Sequence, residues 1–469
     1  MSSLFRQAVY YGLGLVLMKG VSFVMLPVIT HYLSPHEYGR LDVLLTLMNL
    51  LGLVIGLGVV DAMYRFAGMA SSEQQRRKVI GSAYFLSCLA GVVVFAALRP
   101  ATSWLNQWLP ASYSDQELSL CLAALALSGF ISVPLAWMRM QDRAEWFFCF
   151  SVGKACLHAA LVYVLLRRGM GLDAVLWGAL VSNAALALAA LAVQSRHVAP
   201  SSAAALAKPL LKYGLPLVGG GLCIFLTQGA ERWLLAGLGG AEELAVYGVA
   251  AQFALVVALA IEPYTLWWFP RRFTVLGRAD GVALNAHYAA AGAMMALSVA
   301  IGAGCVGPWA LRWLLPPEYD MAAQLLPWLA LAMGLKQCSH LMNLGCYVET
   351  NTRLPTGLNV LVAVVAVPAY ALAAAHSGVF GVVYAAVLIY ALRFAVFVCA
   401  SQRRLRLDYP WRDLGIVLSA AVFTPALIQM DQFTAALCVG GVGLARAGAT
   451  LLRKQRLVTA SMETELCKP

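Results

Sequence analysis

Basic side chains lie inside stretches of this sequence that are otherwise almost entirely apolar. Lysine ammonium and arginine guanidinium groups bind phosphate oxygens through charge-assisted hydrogen bonds, so these residues could hold an anionic group such as a pyrophosphate. A charge at the centre of a bilayer costs about 2.5–3.5 kcal/mol on insertion scales, so each residue needs a partner, a cavity or a route to the surface. The candidate ligand-binding residues are Lys19, Arg65, Lys154, His158, Arg232, Lys336, His340 and Arg393.

Two of these candidates are lysines followed by a histidine at i+4, a spacing that places both members on one helix face. Lys154 precedes His158, and Lys336 precedes His340. We expect these two faces to oppose each other across a cavity, although a histidine alone in a helix is more often a hydrogen-bonded core residue. The spacing therefore favours a cationic cavity without excluding a structural role.

Acidic residues inside the apolar stretches are few. Asp61 precedes Arg65 by four residues, which predicts an intrahelical ion pair, and Lys19 either pairs with such a carboxylate or lines a solvated cavity. Glu231 is adjacent to Arg232, and this acidic-basic pair marks either a hinge between helices or an interfacial cap. The candidates for ion pairing or for coupling to protons or sodium ions are Asp61, Glu231 and Glu262.

Positive charge predominates among the intramembrane residues. Of the basic residues there, only Arg65 and Arg232 have an acidic residue nearby in sequence, and Arg446 lies close enough to a span end to reach the surface. The surplus predicts a cationic cavity whose ligand is an anion.

The elements that position these residues are membrane helices. Hydrophobic residues make up 61% of the chain and charged residues 12%, and the mean hydropathy is +0.76. Because lipid offers no hydrogen bonds to the backbone, runs of about 20 apolar residues must be helical. The predicted fold is all-α and integral to the membrane, with about fourteen helices. They are expected near 8–30, 41–66, 79–98, 118–138, 147–166, 174–195, 210–236, 244–263, 282–306, 323–347, 356–375, 379–400, 414–430 and 433–452.

Lysine and arginine concentrate in alternate loops, which predicts that both termini are cytoplasmic. The basic loops are 71–78, 270–278, 401–412 and 453–456. The net charge of +11 is therefore a topology signal, not a nucleic-acid-binding signal. The predicted location is the bacterial cytoplasmic (inner) membrane.

Internal similarity divides the chain into two halves. Tyr11-Gly12-Leu13-Gly14 returns as Tyr213-Gly214-Leu215-Pro216, and residues 171–181 resemble residues 378–388. Six spans repeated in one orientation predict two six-helix lobes related by a pseudo-twofold axis along the membrane normal. The predicted divisions are a lobe at 1–195, a cytoplasmic linker at 196–209, a lobe at 210–400, a basic loop at 401–413, two further helices at 414–452 and a cytoplasmic tail at 453–469.

No pattern of catalytic or metal-binding residues is visible. The eleven cysteines show no C-x-x-C spacing, and no phosphate-binding G-x-x-x-x-G-K-[ST] loop is present. We therefore predict no catalytic residues, no metal and no cofactor, and a chain that is not an enzyme.

The segment Val21 to Gly39, VSFVMLPVITHYLSPHEYG, resembles the polysaccharide transporters and lipid-linked oligosaccharide flippases (O-antigen type) of the multidrug/oligosaccharidyl-lipid/polysaccharide exporter superfamily. The resemblance continues from Leu57-Gly58 to Arg65 and returns at Tyr213-Gly214-x-Pro216. It implies a two-lobed, V-shaped bundle that flips a polyprenyl-pyrophosphate-linked oligosaccharide by alternating access. Where the family commonly has Asp-Arg after the seventh span, this chain has Glu231-Arg232.

Three other functions stay open. A multidrug efflux transporter of the same superfamily would need an acidic cavity for cationic drugs. A polymerase would need a large outer loop, and the longest outer connection is only about 18 residues, from Arg99 to Gln116. A scaffold in a glycan-assembly complex would use its helices to bind partners. The expected partners are the lipid-linked glycan, the bilayer, and a polysaccharide polymerase or other glycan-assembly proteins; no nucleic acid is expected.

Overall fold

The computed structural model describes residues 3–141, 143–194, 206–348 and 353–466. Within these ranges the regular elements are α-helices and short 3-10 turns, which confirms the all-α prediction. The chain forms two compact units, Met1–Ala245 and Val246–Pro469. The predicted linker at 196–209 lies largely outside the described residues, and the six-plus-six division stays a prediction.

The first unit contains eleven helices among its described residues and the start of a twelfth. They are α1 (Ser3–Tyr32), α2 (Pro35–Gly56), α3 (Val59–Gly68), α4 (Glu73–Leu98), α5 (Thr102–Trp108), α6 (Asp115–Ala126), α7 (Ser128–Met140), α8 (Ala144–Arg167), α9 (Leu172–Gln194), α10 (Ala207–Gln228) and α11 (Ala230–Leu238), followed by α12 (Ala241–Trp268), which continues into the second unit.

After α12, the described residues of the second unit form six more helices. They are α13 (Arg272–Leu276), α14 (Gly281–Leu314), α15 (Asp320–Leu341), α16 (Arg353–Arg404), α17 (Trp411–Gln429) and α18 (Phe433–Leu466). Short 3-10 turns at Pro317–Tyr319 and Leu344–Tyr347 flank α15.

Every predicted span overlaps a helix. Twelve helical segments among the described residues are long and apolar enough to cross a membrane. One of them, α16, covers the two spans predicted at 356–375 and 379–400. The span predicted at 323–347 coincides with α15, which is not among the twelve. The sequence thus located the helices correctly, and the chain is an all-α integral membrane protein.

The start of α2 follows directly from its sequence. Ser34 accepts a hydrogen bond from the Glu37 amide, the Glu37 carboxylate accepts from the Ser34 amide, and Pro35 occupies the first turn. This capping box satisfies two otherwise unpaired backbone donors. Two residues later, Gly39 lies so close to the backbone of Ala241 that a Cβ there would overlap its carbonyl oxygen. The Ser-x-x-Glu-x-Gly pattern therefore encodes a helix start and a close helix contact.

The span predicted at 41–66 is broken into two helices. Leu57 and Gly58 both have positive φ, 47° and 61°, which ends α2 and begins α3. The break lies against Gly214 of α10, where a Cβ on Gly58 would overlap the Gly214 carbonyl oxygen. Glycine at both positions therefore lets the two backbones touch.

The helix α16 is a hairpin. Its 52 residues are helical except at Gly378, with φ 55° and ψ −140°, a conformation that only glycine adopts readily. Arg393 of the second arm hydrogen-bonds Asn359 of the first arm, so the two arms lie side by side.

Candidate cationic site

Four basic or titratable side chains come together in the second unit. Arg272 lies on α13, Lys336 and His340 on α15, and Arg393 on the second arm of α16. Arg272, Lys336 and Arg393 all act electrostatically on His340. The structure thus assembles three residues that the sequence predicted to bind ligand, and it adds Arg272.

Arg272 is the most buried arginine of this group, with only 9% of its surface exposed. Its Nη1 donates to Asn343 Oδ1 at 3.3 Å, and its Cζ lies 4.4 Å from the ring centroid of Phe269 and 5.5 Å from that of Tyr347. Its Nε has no hydrogen-bond partner in the part of the chain that the structure describes. Burial lowers the pKa of this guanidinium, as expected for a cation held away from water.

Arg393 also relies on neutral partners. Its Nη1 donates to Asn359 Oδ1 at 2.7 Å and its Nε to Ser339 Oγ at 3.2 Å, while its Cζ lies 4.6 Å from the Phe397 ring centroid. The sequence suggested no partner for Arg393, because Asn359 and Ser339 lie 34 and 54 positions away. Among the described residues no carboxylate pairs with Arg393 or with Arg272, so these two arginines keep their positive charge.

The electrostatic contacts of Tyr347 connect the two arginines. Tyr347 ends the 3-10 turn after α15, and its hydroxyl interacts electrostatically with both Arg272 and Arg393. The His340 ring packs against the Phe269 ring at a tilt of 34°, with ring centroids 4.6 Å apart. Aromatic faces stabilise nearby cations without neutralising them.

The sequence missed Arg272 because an arginine in a basic loop reads as a topology signal. Two aromatic residues close in sequence, Phe269 and Phe273, could have indicated a role for Arg272. Both rings lie within 5 Å of the Arg272 Cζ. Asn343 and Tyr347 gave no signal in sequence.

In the first unit, Arg232 of α11 pairs with Asp42 of α2. Nη1 of Arg232 lies 2.5 Å from both carboxylate oxygens, and the two side chains are 22% and 8% exposed. The sequence pairs Arg232 with its neighbour Glu231 and overlooks Asp42, which lies 190 positions earlier. Glu231 is itself buried on the same helix. The ion pair between Arg232 and Asp42 joins two helices.

A second ion pair lies near the start of α2. Nη2 of Arg40 donates to both carboxylate oxygens of Glu117 on α6, at 2.9 and 2.8 Å. The Tyr113 hydroxyl donates to the Arg40 carbonyl at 2.8 Å, and the Arg40 guanidinium lies over the Tyr113 ring. Burial raises the pKa of the Tyr113 phenol, and the nearby guanidinium opposes the rise. Charged contacts thus fix both Arg40 and Asp42 of α2.

The predicted intrahelical pair of Asp61 and Arg65 is not formed within the described part of the chain. Arg65 instead places its Cζ 4.8 Å from the ring centroid of Tyr213 on α10, and both Asp61 and Arg65 are exposed. A spacing of four residues permits a pair but does not require one, and an aromatic ring on a neighbouring helix is the better partner for this guanidinium.

The other predicted residues of the first unit lie on two packed helices. Lys19 is exposed on α1, Lys154 and His158 are half-buried on α8, and Lys154 acts electrostatically on His158 as their spacing predicts. The His158 ring lies beside Gly178 of α9.

Contact at Gly14 shows the register of these helices. Gly14 of α1 lies against Phe148 of α8. The predicted topology has the two helices running parallel, which predicts that Lys19 lies level with Lys154. Both would then belong to one cationic face.

Two further charged residues that the sequence placed inside the membrane are Glu262 and Arg446. Glu262 is half-buried on α12, where its carbonyl accepts a hydrogen bond from the Thr265 hydroxyl at 2.8 Å. Arg446 on α18 pairs with Asp413 on α17 at 2.5 Å, a partner that the sequence did not indicate. No group of three or more potential metal ligands occurs among the residues that the structure describes.

This chain is similar to known proteins in both sequence and fold. The sequence model of a family described as "Polysaccharide biosynthesis protein" matches residues 4–274. The succinoglycan biosynthesis transport protein ExoT of Rhizobium meliloti (strain 1021) is 26% identical over 247 residues, which are 50% of this chain and 47% of that protein. The chain thus matches about half the length of this curated relative.

Two solved structures show the same fold. The lipid II flippase MurJ, in an inward closed conformation, has a TM-score of 0.70 at 11% identity, covering 96% of this chain and 99% of that chain. An inward-facing multidrug resistance MATE family transporter of the MOP superfamily has a TM-score of 0.61 at 17% identity, covering 85% of this chain and 94% of that chain. At these identities the likeness concerns the fold alone.

Proposed function

This chain belongs to the polysaccharide biosynthesis protein family, and on that basis we propose that it flips a polyprenyl-pyrophosphate-linked oligosaccharide across the bacterial cytoplasmic membrane by alternating access. The oligosaccharide would be a repeat unit for polysaccharide biosynthesis. The name of the similar ExoT protein supports an exported polysaccharide as the product.

The observation that carries the proposal is the uncompensated charge of Arg272 and Arg393. Both guanidinium groups are mostly withdrawn from solvent, and both bond only neutral side chains among the described residues. Holding a cation in this way is costly unless an opposite charge joins it. A pyrophosphate diester carries two negative charges, so binding it would stabilise both cations.

The chemistry of these groups suits phosphate oxygens. A guanidinium presents a planar set of donors that can bond two oxygens at once. Arg272 Nε has no hydrogen-bond partner among the described residues, and the Lys336 ammonium also acts electrostatically on His340. We assign pyrophosphate binding to Arg272, Lys336 and Arg393, with His340 as a neighbouring donor.

The first unit would supply further contacts during transport. Lys19, Lys154 and His158 form the candidate cationic face there, and Arg65 and Arg232 are held by Tyr213 and Asp42. We therefore propose Lys19 and Lys154 as substrate contacts in this unit, and Arg65 and Arg232 as residues that position helices. Asp61 and Glu262 are the proposed coupling residues.

In the predicted topology, the cluster of the second unit lies near the cytoplasm. With both termini cytoplasmic, α13 and the end of α15 lie at the inner face, where a lipid-linked precursor is assembled. The cluster would then meet the pyrophosphate at loading. A polysaccharide polymerase or another assembly protein would receive the product on the opposite side.

The cationic cluster also weighs against multidrug efflux, because it would repel cationic drugs. A polymerase or scaffold role would leave the buried charge of Arg272 and Arg393 without a purpose. Flipping of an anionic lipid-linked glycan uses that charge directly.

Transport by the reconstituted protein tests the proposal. Proteoliposomes would carry a fluorescent undecaprenyl-pyrophosphate oligosaccharide, and its transbilayer movement would be followed by quenching from outside. We expect wild-type protein to accelerate movement, and Arg272→Gln and Arg393→Gln each to slow it at least about tenfold, equivalent to about 1.4 kcal/mol.

Arg278→Gln is the matched control, because Arg278 is exposed and lies six residues after Arg272. It should transport like wild type. Equal rates for Arg272→Gln, Arg393→Gln and Arg278→Gln would remove the assigned site. No movement by wild-type protein under any ion gradient would overturn the proposed function.

A further inference from the structure

A groove of about 530 Å³ runs along the hairpin α16 near the free ends of its two arms. Leucines of the first arm form one wall, and small or apolar residues of the second arm form the other. Two adjacent arginines close one end. The residues that define it are Leu354, Leu358, Leu361, Cys399, Arg403 and Arg404.

Polar and apolar parts of the groove are separated along its length. Leu361 and Cys399 are exposed on the face of the helices that would meet lipid. Arg403 and Arg404 are exposed where α16 ends, at the membrane surface that the positive-charge distribution makes cytoplasmic. None of the described residues that line the groove is acidic.

The two helix termini at this end largely offset each other, so its positive potential comes from the arginines. Because α16 is a hairpin, its N-terminus at Arg353 lies beside its C-terminus at Arg404. The N-terminal turn of a helix carries a partial positive charge that favours anions. The two arginines outweigh the partial negative charge of the C-terminal turn.

We propose that this groove binds an anionic diacyl phospholipid, with an acyl chain along the leucines and its phosphate at Arg403 and Arg404. Apolar burial along the groove and charge pairing at its end act together on one molecule, which a free phosphate could not use. The site is distinct from the cluster around Arg272 and is independent of the proposed transport activity.

Native mass spectrometry of the purified full-length protein tests this site. The protein would be released from detergent with phosphatidylglycerol or phosphatidylcholine added at matched concentrations. We expect wild type to retain one phosphatidylglycerol at least about fivefold more tightly than one phosphatidylcholine. The double variant Arg403→Gln/Arg404→Gln should lose this preference, and it keeps Arg406 and Arg412 to maintain loop orientation.

Two further variants separate the groove from general surface charge. Arg76→Gln/Arg77→Gln removes another adjacent pair of arginines from a predicted cytoplasmic surface and should keep the preference. Cys399→Trp fills the groove while leaving both arginines and should weaken phosphatidylglycerol retention. Each variant is accepted only if it elutes as a single folded species.

Several results would overturn the proposal. Equal retention of the two lipids by wild type would do so, as would equal losses in the Arg403/Arg404 and Arg76/Arg77 variants. Displacement of the lipid by millimolar inorganic phosphate would show a simple anion site instead. Because transport is not measured, these outcomes are separate from any failure of the flippase proposal.

Discussion

Arg232 on α11 donates from one Nη1 atom to both carboxylate oxygens of Asp42 on α2, each at 2.5 Å. Asp42 is nearly fully buried and Arg232 is largely so. Removing one member of such a pair leaves the other charge poorly solvated. The pair therefore holds α11 against α2.

We expect Asp42→Ala to lower the free energy of unfolding by about 3–5 kcal/mol, because it removes the buried carboxylate to which the Arg232 guanidinium donates. The double variant Asp42→Leu/Arg232→Met should recover most of the loss, since it removes both charges. Unfolding in mixed detergent micelles measures these differences. Glu73→Ala is the control: its ion pairs with Arg76 and Arg77 are exposed, so the loss should stay within about 1 kcal/mol. Similar losses for Asp42→Ala and Glu73→Ala would contradict the structural role of the pair.

Two neighbouring glycines at the break between α2 and α3 should differ in how much their replacement by alanine changes the free energy of unfolding. Gly58→Ala should cost more than about 2 kcal/mol of unfolding free energy, because a Cβ meets both the positive φ and the Gly214 carbonyl. Gly56→Ala should be neutral or stabilising by up to about 1 kcal/mol, because beyond its own helix no described atom lies within 4 Å of its Cβ position. The same unfolding assay compares them, and equal effects would argue against close contact at Gly58.

Two glycines of the α16 hairpin, one in the turn and one in the first arm, should also differ in their effect on stability when each is replaced by alanine. Gly378→Ala should cost about 1–3 kcal/mol, since φ 55° and ψ −140° are unfavourable for any residue with a Cβ. Gly357 lies on the first arm, where a Cβ would meet open space, so Gly357→Ala should not destabilise the protein. Proteolysis of the folded protein offers a second readout, because a loosened turn would be cut in Gly378→Ala alone. A Gly378→Ala variant as stable as Gly357→Ala would mean that the turn is not strained.

The contribution of the Tyr113 hydroxyl to stability should depend on pH. Tyr113→Phe removes the hydrogen bond to the Arg40 carbonyl and should cost about 0.5–1.5 kcal/mol near neutral pH. Because burial raises the folded-state pKa of Tyr113 above the ordinary value of about 10, the unfolded chain ionises first as pH rises. The stability advantage of wild type over Tyr113→Phe should thus be constant below about pH 10 and shrink above it. A constant difference up to about pH 11 would contradict the raised pKa.

Hydropathy predicted the helices because lipid leaves the backbone no alternative to internal hydrogen bonds. It could not predict where a span is broken. The spans expected at 41–66 and 210–236 are each two helices, α2 with α3 and α10 with α11. Those breaks depend on single backbone conformations, at Leu57-Gly58 and at Gly229, which an average over apolar residues does not contain.

Local spacing predicted part of the site. It placed Lys336 with His340 and Lys154 with His158, because a helix fixes which residues share a face. It failed for Asp61 and Arg65, and it could not find Asp42 for Arg232, since that partner lies on another helix. Arg272 was missed because burial of a loop arginine depends on the surrounding packing, which no local pattern records.

The hairpin at Gly378 has a consequence for biogenesis. An arm that carried Arg393 into the bilayer alone would meet the full cost of an unpaired charge. Because Asn359 on the other arm already bonds its guanidinium, the two arms can leave the translocon together as one unit, with the arginine solvated by its own hairpin. The order of synthesis favours this route, since Asn359 emerges from the ribosome before the residue it accompanies into the membrane.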